Sequence, residues 1–87
     1  MATEKSAHHS AKAHPLSVTR AAICVLVGAK IRKLRTERDW TQQVLADLAG
    51  IERSHLARLE EGKREAGLIV LEKIADALGV PLWELLR

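Results

Sequence analysis

The chain has no Phe and no Tyr, and its only aromatic residues are Trp40 and Trp83. A core built from it must therefore be aliphatic. Single-stranded RNA readers stack bases on aromatic rings, so this near-absence argues against that class. One cysteine, Cys24, excludes an internal disulfide and a cysteine-based zinc site. A lone thiol in an apolar run reads as a buried, inert side chain. The longest apolar run, residues 21–29, is far too short to span a bilayer. It has the length of a secretory signal core, but cleavage there would remove the start of a helix that the domain needs, so secretion is not expected. No phosphate-cradling glycine loop, no ordered Ser/His/Asp set and no metal-ligand spacing occurs, so neither an enzyme nor a cofactor or metal site is expected. Alternating strand patterns and internal repeats are missing too.

What is present is a single small domain of 87 residues with net charge +3. The charge is unevenly placed. Lys30, Arg32, Lys33, Arg35 and Arg38 are opposed only by Glu37 between residues 28 and 38. From residue 65 onward, Glu65, Glu72, Asp76 and Glu84 outnumber Lys73 and Arg87. A basic half suited to nucleic acid and an acidic half facing away follow from this distribution. Residues 1–16 are small, polar and His-containing and read as a disordered tail. His8, His9 and His14 in it read as solvated side chains rather than ligands. Residues 17–87 read as the folded domain.

Helical spacing divides that domain into five elements. The first helix starts between Ser17, a plausible N-cap, and Ala22, and runs to about Arg38 with Val27, Ile31 and Leu34 on one face. Gly28 inside it marks a close backbone approach or a break. Thr41 caps a second helix over 42–49, with Leu45, Leu48 and Ala49 inward and Gly50 as its stop. The third covers 53–60 on Leu56 and Leu59, with His55 as half-buried packing. The fourth, 68–78, carries Leu68, Leu71, Ile74, Ala75 and Leu78. A last short helix follows through Leu86, with Pro81 in its first turn. Two amphipathic stretches meeting at Gly50 make a helix, a tight turn and a helix, the unit that many proteins place in the major groove.

Ile31-Arg32-Lys33-Leu34-Arg35, Thr41-Gln42, Leu45-Ala46, Ala49-Gly50-Ile51, Leu59 to Arg64 and Leu71 to Val80, in this order and spacing, resemble the phage-repressor and Cro-like (XRE-type) helix-turn-helix family. Restriction–modification controller-type regulators are similar in size. The resemblance implies an all-α, compact five-helix bundle of the lambda-repressor-like type. It implies base reading by Arg53, Ser54 and Arg58, phosphate contacts by Gln42, Lys63 and Arg64, and a structural ion pair between Arg35 and Glu60. Arg also offers, on its own chemistry, the fork that matches guanine O6 and N7. The sequence departs from the pattern in having Glu52 where a Ser or Thr cap is usual, and no Pro near Ala66-Gly67. It also has apolar Val44, Ile69, Val70 and Trp83 where polar residues are common. Ile69, Val70 and Trp83 suggest a dimer seam, with Ala22 to Leu26 as a rival.

The expectation is a cytoplasmic, sequence-specific regulator that binds double-stranded DNA as a homodimer on an inverted repeat. The alternative is an antitoxin-type interaction module that neutralises a partner protein.

Overall fold

The computed structural model describes residues 19–87. The tail expected over 1–16, its histidines and the Ser17 cap lie outside the described residues. Four α-helices, α1 (Arg20–Thr36), α2 (Gln42–Ala49), α3 (Arg53–Glu60) and α4 (Leu68–Leu78), precede a 3₁₀ helix over Leu82–Leu86. No strand occurs among the described residues.

Each element supplies one large, fully buried side chain to a single aliphatic core: Ile31, Leu45, Leu56, Ile74 and Leu85. Ala46, Ala49, Leu59, Leu71, Ala75 and Leu78 complete it. Trp40 is only packed against the edge, so the core is aliphatic throughout.

Thr19 starts α1. Its backbone is extended (φ −71°, ψ 160°) and its Oγ1 accepts from the Ala22 N–H at 3.0 Å. This cap satisfies a donor that the first turn otherwise leaves unpaired. The helix stops at Thr36, short of the expected Arg38. The chain reverses through Asp39, whose φ is +57°, a conformation that Asp tolerates better than most side chains. Arg38 is used in the turn: its guanidinium donates to the carbonyls of Leu34 (2.6 Å) and Leu78 (2.8 Å). It thereby ties the end of α1 to the C-terminal, electronegative end of α4.

Gly28 lies buried where α1 crosses the end of α3. A Cβ there would collide with the Leu59 carbonyl oxygen and approach that of Glu60 to 2.9 Å. The glycine permits close approach of two backbones and leaves α1 unbroken.

Four expectations need correction. Leu48 is 57% exposed; the inward arc of α2 runs through Leu45, Ala46 and Ala49, because small alanines let α2 pack on both α3 and α4. Leu68 is exposed because it sits in the first turn of α4, ahead of the core. The last element is 3₁₀, with Pro81 at its N-cap rather than inside its first turn. Five residues allow few i→i−4 bonds, and the tighter coil suits such short pieces. Cys24 is half-buried, not buried.

Candidate nucleic-acid interface

Thr41 Oγ1 accepts from the Val44 N–H at 3.1 Å and opens α2. Gly50, with φ +72°, closes it. Ile51 donates its N–H to the Ala46 carbonyl at 3.0 Å, and the chain enters α3 through Glu52. Glu52 makes no side-chain capping bond, as expected of Glu at a cap. Gly62, again left-handed at φ +74°, ends the third helix region.

At about 100° per residue, Arg53, Ala57, Ser54 and Arg58 fill an arc of roughly 140° on α3, Leu56 and Leu59 lie on the other side, and Glu60 lies at the boundary, about 20° from Arg53. Burial follows this division. Leu56, Leu59 and Glu60 are buried, Arg53, Ser54 and Arg58 are exposed, and His55 and Ala57 are half-buried. Arg53 and Arg58, five positions apart, therefore stand on one solvent-facing surface. Lys63 is exposed beyond the helix, with only a long 3.8 Å approach to Glu61. Arg64 is also exposed but borders a hollow shared with Arg20, Ile23 and Glu65.

Beneath this surface lies a buried polar node. Glu60, whose side chain is fully buried, accepts from Arg35 Nε at 2.7 Å and Arg35 Nη2 at 2.9 Å. It also accepts from Gln42 Nε2 at 3.0 Å and from Arg32 Nε at 3.4 Å. Arg35 uses Nη1 to hold the Trp40 carbonyl at 2.7 Å. Burial alone would raise the Glu60 pKa. The hydrogen bonds from Arg35 and Gln42 and the guanidinium charge outweigh it and hold the carboxyl below the usual range. The same hydrogen bond, against the opposing effect of burial, raises the Arg35 pKa above its ordinary value. No buried side-chain nitrogen or oxygen among the described residues lacks a partner.

The node reaches the surface through Gln42, whose Oε1 accepts from Arg53 Nη1 at 3.3 Å. Gln42 thus links the Arg35–Glu60 pair to an arginine on the exposed arc. Sequence reasoning missed the Arg32 and Gln42 contacts with Glu60. Arg32 was readable in principle, since it lies three residues before Arg35 on the same helix face. The Gln42 contact depends on how α2 and α3 are placed and has no local signal.

Of the residues suggested for a seam, Ile69 is 64% and Trp83 58% exposed. Val70 is half-buried and packs against the core. The Arg87 guanidinium lies 5.4 Å from the Trp83 ring centroid. No helix among the described residues is long and apolar enough to cross a membrane.

Comparison with known proteins agrees with this geometry. The helix-turn-helix family HTH_3 matches residues 31–85. Control protein C.MunI from Mycoplasma sp is 39% identical over 64 residues, which are 72% of this chain and 86% of that protein. The immunity repressor of Bacillus phage phi105 is 43% identical over 62% of this chain, a region that makes up 38% of the repressor. The crystal structure of the restriction-modification controller protein C.AhdI from Aeromonas hydrophila superposes with a TM-score of 0.70 at 37% identity, covering 71% of this chain and 94% of that one. An all-helical bundle, a glycine-stopped α2 leading into α3 and a family match across both make this chain a member of the helix-turn-helix family of DNA-binding transcriptional regulators, of the XRE or Cro/C1 type.

Proposed function

We propose that the chain is a cytoplasmic, sequence-specific regulator that binds double-stranded DNA as a homodimer on an inverted-repeat operator, without catalysis. The observation that carries this reading is the exposed arc of α3, where Arg53, Ser54 and Arg58 stand together on a helix anchored from behind by Leu56, Leu59 and Glu60. In this reading the two arginines and Ser54 read base edges. Gln42, at the start of α2, and Lys63 and Arg64, after α3, hold phosphates. The similarity to a control protein, a controller protein and a phage repressor supports a regulatory role. Ile69 and Trp83, with Val70 behind them, form the proposed seam between subunits.

Selection of bound sequences from a random duplex pool tests the proposal. The expected result is a two-fold symmetric consensus whose half-sites lie about 34–36 Å apart, or a multiple of that spacing. Binding should weaken steeply as salt rises, because phosphate contacts release counterions. A pool that returns no consensus, with equal affinity for all duplexes, would refute sequence-specific reading.

A further inference from the structure

The first half of α1 lies before the residues that match the family. It is held by specific contacts. Thr19 caps it, and Val25 packs so tightly on Gly62 that a Cβ there would come within 2.9 Å of the Val25 Cα. This fixed helix leaves Ile23 47%, Val25 54% and Leu26 63% exposed. Ile23, Leu26, Val27, Lys30 and Lys33 follow one another at helical spacing. They form one wall of an open groove of about 450 Å³, and Leu85, Leu86 and Arg87 form the other. Along the stripe the character changes, from apolar at Ile23, Leu26 and Val27 to cationic at Lys30 and Lys33.

A symmetric pairing of this face with a second copy is disfavoured. Arg20 to Thr36 contains no acidic residue and five basic ones, Arg20, Lys30, Arg32, Lys33 and Arg35. Among the described residues neither Lys30 nor Lys33 has a carboxylate within ion-pair distance. Juxtaposing like charges across an interface is unfavourable. An apolar groove edged by Lys30 and Lys33, which have no carboxylate partner among the described residues, suits an amphipathic helix that continues its apolar stripe into carboxylates. We propose that the groove between α1 and the C-terminal 3₁₀ helix is a docking site for an acidic amphipathic helix of a second protein, separate from the surface of α3.

The test uses the full chain, isotope-labelled, and a synthetic helical peptide of about four turns. The peptide carries Leu over the first half of one stripe and Glu over the second. A control peptide carries Lys in place of each Glu. Saturable chemical-shift changes centred on Ile23, Leu26, Val27 and Leu86 are expected with the acidic peptide, and at least about tenfold weaker binding with the basic one. The Lys30→Glu/Lys33→Glu double variant should reverse that preference. Leu26→Asp, at an exposed position, should abolish binding of both peptides with the helical circular dichroism retained. Equal affinity for both peptides would overturn the proposal, as would shifts centred on Arg53 and Arg58. Concentration-dependent shifts of Ile23 and Leu26 without peptide would assign the face to a second copy and overturn it too. None of these readouts depends on operator binding.

Discussion

A methyl group on Gly28 has nowhere to go. Its nearest neighbours are the carbonyl oxygens of Leu59 and Glu60, which are backbone atoms and cannot rotate aside. Gly28→Ala should therefore destabilise the domain despite the better helix propensity of Ala, by about 1–3 kcal/mol or more, as overpacking does. A thermal midpoint equal to or above that of the wild type would refute the close approach. Glu60 makes a second prediction at this scale. Glu60→Gln leaves the half-buried Arg35 guanidinium without its charge partner, a loss of up to about 3 kcal/mol at neutral pH. The folded-state pKa of Glu60 is depressed, so its stabilisation is complete above the unfolded value of about 4.3 and is lost as pH falls through the lower folded value. Urea unfolding of both proteins should show their stability gap constant near neutrality and narrowing below about pH 4.3. A gap that widens on acidification would contradict the lowered pKa.

At the scale of the elements, α3 divides its residues between two jobs, and so should its variants. Arg53→Ala or Arg58→Ala should cost about 1–3 kcal/mol of operator binding and relax the preference at particular base pairs. Lys63→Ala should weaken binding to every sequence alike, because a phosphate contact carries no sequence information. Gln42→Ala should do both. It removes a proposed phosphate contact and also the acceptor that holds Arg53 Nη1 at 3.3 Å. Competition with random duplex separates the two effects, and an equal loss on both DNAs for the arginine variants would sink their assignment. The helices themselves were legible because their punctuation is local. Thr41, Gly50 and Gly79 end or start helices through bonds and dihedrals within a few residues. Arg35 was paired with Glu60 through the resemblance alone. Leu48 and Leu68 misled because a Leu at helical spacing says nothing of which neighbours will cover it. The 3₁₀ coil of Leu82–Leu86 was hidden for a similar reason: over five residues the apolar pattern does not separate it from a short α-helix.

For the whole molecule, the proposed dimer requires two copies of α3 set at the spacing of one DNA turn. A closed two-fold dimer needs a self-complementary patch. The face of α1 is a poor choice, since pairing it with its own copy would bring together two helices that carry basic residues and no acidic ones. The C-terminal elements are better. Ile69 and Trp83 are exposed there, Val70 packs against the core, and the local charge is mixed, with Glu72, Lys73, Asp76 and the Glu84–Arg87 ion pair. Trp83 is the natural anchor, because large aromatic side chains carry much of the free energy of many interfaces. It is 58% exposed rather than buried in its own core, and the Arg87 guanidinium lies 5.4 Å from its ring centroid. Trp83→Ala should thus shift the protein to monomer in analytical ultracentrifugation with helical content unchanged, since Leu85 and not Trp83 seats the 3₁₀ helix in the core. The same variant should bind a single half-site as the wild type does and lose the added affinity of the full inverted repeat. A variant that stays dimeric, or a wild-type chain that is monomeric at high micromolar concentration, would refute the seam.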